Sequence, residues 1–217
     1  MTNIKIDNLV KVIKGNTVID GISLQMQSPK IVGFKGINGS GKTMLMRLIC
    51  GLIKPTEGTI SINDKVLHSD LSFPESIGIL IENPAFLDGY SGFDNLRMLA
   101  SIKNKVTDEQ IRDMISAVGL NPDDKKHYKK YSLGMKQRLG IACALMESPD
   151  IIILDEPTNA LDSNGIQMVK NLIKQKRDEG ALVIISCHDL DILKELSEEI
   201  YVLEVGKVVD HFEVLEE

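Results

Sequence analysis

The chain has 217 residues, 43% of them hydrophobic, enough for one large or two small domains around a substantial core. Its net charge of -6 and sequence pI near 5.3 argue against a broad basic surface for nucleic acid, though not against a local basic patch. Tryptophan is absent and other aromatics are few, which disfavours a base-stacking surface. The longest apolar runs, Ile151–Leu154 and Ala181–Ile185, are far too short to cross a bilayer.

Short β patterns open the chain at Ile4–Ile6, Val18–Met26 and Lys30–Phe34, and the first stretch carries scattered charges with no signal-peptide core. The third of these strands runs into GINGSGKT, residues 36–43. Gly36, Gly39 and Gly41 allow a tight turn that aims several backbone N–H groups at an anion, and the helix that follows offers its positive N-terminal end. Lys42 can reach the outer phosphates and Thr43 can ligate magnesium, so the segment reads as a cradle for a nucleoside triphosphate. Taken as a glycine-rich turn alone, it would be an ordinary strand-to-helix connection.

The helix from Met44 is expected to stop near Gly51, and Thr59–Ile62 alternates like a strand with a turn at Asn63-Asp64. Ile77–Ile81 is a further strand. From about Asn83 to Met146 helical spacing dominates, in Asp94–Ile102, Thr107–Val118 and Gly134–Met146, with Thr107 and Gln110 spaced as a capping box. Strands return at Ile151–Leu154 and Leu182–Ile185 around the amphipathic stretch Ser163–Arg177. The alternation predicts an α/β fold, a single compact domain over 1–217 with a helical insertion at about 84–147.

Two further segments carry chemistry. IIILDE, residues 151–156, is an apolar strand that ends in two carboxylates. Beside a phosphate loop, Asp155 would bind magnesium and Glu156 would orient or deprotonate the attacking water. Alone, it could equally be a core strand with exposed acids. In YSLGMKQR, residues 131–138, Ser132 and Gly134 lie at an expected helix start, where free N–H groups can meet phosphate oxygens. Cys50, Cys143 and Cys187 are widely spaced and make no metal-ligand pair. They read as reduced thiols, and His68, His127, His188 and His211 are equally dispersed.

The ordered set GINGSGKT, YSLGMKQR, IIILDEPTNALD and ISCHD, with LIKPTEGTI between the first two, resembles the ATP-binding cassette ATPases of membrane transporters over essentially the whole chain. The resemblance implies a phosphate-loop NTPase fold, with a RecA-like core, an antiparallel β-subdomain and an inserted α-helical subdomain. It implies ATP and Mg2+ as cofactors. Gly36, Asn38, Gly39, Ser40, Gly41, Lys42, Thr43 and Met44 would hold the nucleotide, and Ser132 and Gly134 would face the nucleotide of a partner in a head-to-tail dimer. Asn159 to Asp162 resembles the loop that couples the two sites. His188 resembles the switch histidine, which joins Lys42 and Glu156 as catalytic residues.

The implied partners are a separate transmembrane permease and a second cassette, identical or paralogous, with no nucleic acid. The chain would then lie in the cytoplasm against the inner face of the membrane.

Three positions depart from the family pattern. Glu82 stands where glutamine is usual and is read as a retained metal or coupling residue with Thr43 and Asp155. Ile13 stands where an aromatic ring commonly stacks on adenine, unless Val18 supplies the contact. Leu133 replaces the first glycine of the signature pair, while Gly134 is kept. Glu82 and SLGMKQR together resemble cassettes that export bacitracin or lantibiotic-type peptides. The alternative is a soluble cassette ATPase in DNA or assembly work, for which no coiled-coil insertion or basic arm is present.

Overall fold

The computed structural model describes residues 1–214. Two sheets organise them. The first is antiparallel, built from β1 (Asn3–Ile13), β2 (Asn16–Gln27), β4 (Glu57–Ile62) and β5 (Lys65–Val66) in the order β2-β1-β4-β5. The second contains β3 (Lys30–Lys35), β6 (Ile77–Leu80), β7 (Ile151–Asp155), β8 (Leu182–Cys187), β9 (Glu199–Glu204) and β10 (Lys207–Glu213), in the order β10-β9-β3-β8-β7-β6. From β9 to β6 every neighbour is parallel, and only β10 pairs antiparallel.

Burial on both faces explains why the central strands are apolar throughout: every residue of β7 and β8 is buried. Alternation then sends successive side chains to opposite cores. Ile152, Leu154, Val183 and Ile185 join the core under α4 (Leu133–Leu145) and α5 (Ser163–Asp178). Ile151, Ile153, Leu182 and Ile184 join the core shared with α1 (Lys42–Ile49) and the antiparallel sheet.

The helices α2 (Gly92–Lys103) and α3 (Asp108–Ala117), a single 3-10 turn at Tyr128–Lys130, and α4 all fall between β6 and β7 in the chain. Thr107 and Gln110 form the expected reciprocal cap. The final helix, α6 (Leu190–Leu196), and the hairpin of β9 and β10 carry no element expected from the sequence. The first strand also runs much longer than expected, on to Ile13, where Lys14-Gly15 form a two-residue turn with φ of +50° and +82° into β2. The other expected elements form within a few residues of the expected bounds. This is the α/β phosphate-loop architecture, with its antiparallel sheet and its run of inserted helices.

Candidate nucleotide site

Four parallel strands deliver their C-terminal ends to one edge of the sheet, the edge where open α/β sheets bind ligands. β3 runs into Gly36, β7 ends at Asp155 with Glu156 next, β8 ends at Cys187 with His188 next, and Glu82 follows β6 by two residues. The register is direct: Asp155 lies opposite Ser186, and Lys35 lies opposite Cys187.

Between β3 and α1 the backbone takes left-handed values at Gly39 (φ +82°) and Gly41 (φ +111°), which only glycine adopts without strain. Gly41 occupies the cap position of α1 and supplies no side chain, so the first N–H groups of the helix stay free for an anion. Lys42 is buried to 6% exposure, and its ammonium donates back to the carbonyls of Gly36 at 2.6 Å and Ile37 at 3.2 Å. Those bonds hold the cation under the loop.

The Thr43 hydroxyl donates to Asp155 Oδ2 at 2.6 Å, and the Ser186 hydroxyl donates to Asp155 Oδ1. A hydroxyl beside a buried carboxylate is the hard-oxygen pair that magnesium takes. Ser40 Oγ is buried in the loop with no hydrogen-bond partner, a further polar atom suited to an incoming phosphate or its ion. The residues present therefore fit a magnesium–triphosphate complex.

Glu156 has φ of +50° and is held in that strained backbone from both sides. Its N–H donates to the carbonyl and the hydroxyl of Ser186 at 3.2 and 3.1 Å, and its carbonyl accepts from Gln137 Nε2 at 3.1 Å. The carboxylate meets His188 Nδ1 through Oε2 at 2.9 Å, while Oε1 is buried and unpaired. Glu156, His188 and the Thr43–Asp155 pair thus stand together at one sheet edge.

Val18, Asn38, Gly39, Gly41, Lys42, Thr43, Met44, Asp155 and Glu156 line a cleft of about 340 Å³. Ile13 does not line it: it pairs with Asn16 across the β1–β2 turn, and Val18 supplies the apolar wall. Glu82 lines the cleft too, yet its carboxylate is paired with Arg47 at 2.6 Å rather than with the Thr43–Asp155 pair.

Ser132 and Gly134 lie elsewhere. Together with Leu133, Arg138, Ala160 and Asp162 they line a second depression of about 570 Å³ that shares no residue with the first. Ser132 caps α4, accepting the N–H of Met135 at 3.2 Å. Arg138 ties this face to the loop after β7, donating to Asp162 Oδ1 at 3.0 Å. Sequence reasoning singled out neither Gln137 and Arg138, which lie inside YSLGMKQR, nor Ser186 in ISCHD. The motifs contain all three, but their bonds appear only when strands and helix are assembled. The same assembly brings Cys187 and His188 beside Glu156, their donor atoms within 4.8 Å of one another.

The ABC transporter family model matches residues 19–159. Among curated proteins, the chain is 49% identical to the uncharacterized ABC transporter ATP-binding protein YybJ of Bacillus subtilis, a match that covers 85% of each chain. It is 36% identical to the lantibiotic transport ATP-binding protein SrtF of Streptococcus pyogenes, over 95% of this chain and 89% of that one. It is also 34% identical to the bacitracin transport ATP-binding protein BcrA of Enterococcus faecalis, over 98% of this chain and 70% of that one. Among solved structures, the fold matches the dimeric ATP-binding cassette MJ0796 bound to ADP and Pi, with a TM-score of 0.89 at 23% identity over 98% of this chain and 99% of that one. The chain belongs to the ABC transporter family, as one of its ATP-binding, ATP-hydrolysing subunits.

Proposed function

We propose that two copies, or this chain and a paralogous cassette, close head-to-tail around ATP and drive export of a peptide, antibiotic or other drug-like cargo through a separate permease. The observation that carries this reading is the separation of the two depressions. The cleft with Lys42, Thr43, Asp155 and Glu156 shares no lining residue with the depression at Ser132 and Gly134. A second chain would complete each half. Ile37 in the phosphate loop and Leu133 in the signature are 78% and 62% exposed, apolar side chains that closure would cover. The lantibiotic and bacitracin ATP-binding relatives support the peptide cargo.

In the closed pair Lys42 would neutralise charge that develops on the phosphates, and the free N–H groups of the loop and of α1 would hold them in place. Thr43 and Asp155 would hold magnesium, which when bound supplies electrostatic stabilisation of the triphosphate. Glu156 would orient water and accept its proton, with His188 holding the carboxylate in place. Gly36, Asn38, Gly39, Ser40, Gly41 and Met44 would complete the nucleotide cradle.

No helix of the described residues is long and apolar enough to cross a membrane. We place the chain in the cytoplasm, held at the inner face of the membrane by the permease. Leu87 and Tyr90, 55% and 49% exposed in the segment just after Glu82, support a docking surface there. The unit would be a single domain over 1–217, with a helical subdomain at about 84–147.

Glu156→Gln tests the catalytic assignment. The variant should bind ATP, lose hydrolysis by about 10²–10⁴-fold and accumulate as a dimer with ATP. Undiminished hydrolysis would remove Glu156 from its role.

A further inference from the structure

Cys187 closes β8 and Glu156 follows β7 directly, so the register that pairs Asp155 with Ser186 also sets a thiol, an imidazole and a carboxylate side by side. The Cys187 Sγ, a ring nitrogen of His188 and a carboxylate oxygen of Glu156 all lie within 4.8 Å of one another. Sulfur, nitrogen and carboxylate oxygen are the donors that zinc takes, whereas magnesium takes oxygen. Bond lengths of about 2.0–2.3 Å place tetrahedral zinc ligands about 3.5 Å apart, so closing on an ion asks each side chain to move by an ångström or less.

His188, its side chain 64% exposed, is free to make that adjustment, and one oxygen of Glu156 is buried without a partner. Cys187 Sγ is engaged only weakly, by the Asp189 N–H at 3.4 Å and the Thr158 hydroxyl.

We propose that Glu156, Cys187 and His188 form a second, thiophilic cation site, selective for zinc-like ions over magnesium, and that filling it halts hydrolysis. The ion would take the carboxylate that activates water and the histidine that positions it, with a fourth coordination place left to water. Burial holds the Cys187 thiol above its usual pKa. Binding of Zn2+ therefore forms a Zn–S bond and releases the thiol proton to the buffer, one per ion. The inhibitory consequence rests on the catalytic reading of Glu156; the binding itself does not.

The test is made on the full chain without nucleotide, so its outcome is independent of the catalytic reading. Titration with Cd2+ should raise one ultraviolet thiolate-to-cadmium absorption band per chain, which added Zn2+ bleaches. Cys187→Ser should lose the band and bind Zn2+ at least about tenfold more weakly, while Cys50→Ala and Cys143→Ala keep both. In the ATPase assay with excess Mg2+, Zn2+ should inhibit the wild type at lower concentration than Cys187→Ser. A wild-type protein without the band, or a Cys187→Ser variant that keeps the band or binds Zn2+ equally well, overturns the proposal.

Discussion

Glu156 is positioned by residues that do not line the phosphate cleft. Gln137, 7% exposed, donates to the carbonyls of Glu156 and Pro157 at 3.1 and 3.3 Å, tying α4 to the backbone of the proposed catalytic carboxylate. Gln137→Ala leaves both carbonyls short of a donor, at about 1–3 kcal/mol of stability. It should lower kcat more than it changes KM for ATP, because the phosphate loop is untouched; steady-state kinetics showing KM alone rising would contradict this.

Glu82 presents the opposite case. Its ion pair with Arg47 is half open to solvent and worth about 0–1 kcal/mol, so Glu82→Ala should melt within about 4 °C of wild type. Permease-stimulated turnover should nevertheless fall, and stimulated rates equal to wild type would end the coupling role. At this scale the sequence was most informative where chemistry demands a residue type, as at Lys42, Thr43, Asp155 and Glu156. It was silent on the Arg47–Glu82 pair, whose partners are 35 residues apart.

Among elements, β3, β7 and β8 were legible because burial on both faces leaves an uninterrupted apolar run with a clear beginning and end. The hairpin of β9 and β10 was not, for a physical reason. β9 begins with Glu199, a buried carboxylate that breaks the apolar pattern and is satisfied by Lys30 at 3.0 Å, Tyr201 Oη at 2.7 Å and His211 Nε2 at 2.7 Å. Lys30 lies 169 residues away, so nothing local announces that the charge is accommodated.

Burial pulls the Glu199 carboxyl upward, but bonds from Tyr201, Lys30 and His211 outweigh it and hold the group below its ordinary value of 4.5. A depressed folded-state pKa contributes stability above that ordinary value and loses it as pH falls through the folded one. The stability difference between wild type and Glu199→Gln should therefore be largest near neutrality and shrink on acidification below about 4.5. Denaturant midpoints across that range give the answer, and a difference that grows at low pH contradicts it. Gly78 makes a sharper case for packing between elements, since a Cβ there would lie 1.8 Å from the Ala144 carbonyl oxygen in α4. Gly78→Ala should cost roughly 1–3 kcal/mol or more as β6 and α4 are forced apart, and an unchanged unfolding midpoint would refute that contact.

At the scale of the whole molecule, the phosphate cleft could be read from one chain because its parts converge on one sheet edge. The role of Ser132 and Gly134 could not, since their depression is lined by a different set of residues, and it is the proposed closure that sets it opposite a second chain. Family resemblance supplied what periodicity could not. The measurement that bears most directly on a shared cleft is ATPase rate per chain as a function of protein concentration, with molecular mass recorded in parallel. A composite site makes specific activity climb with dimer population, and Ser132→Asp, which keeps a capping side chain at the start of α4 and adds a carboxylate on the face proposed to meet the partner's phosphate, flattens it near zero. Specific activity that stays constant and undiminished for a strictly monomeric species, with Ser132→Asp as active as wild type, would contradict it.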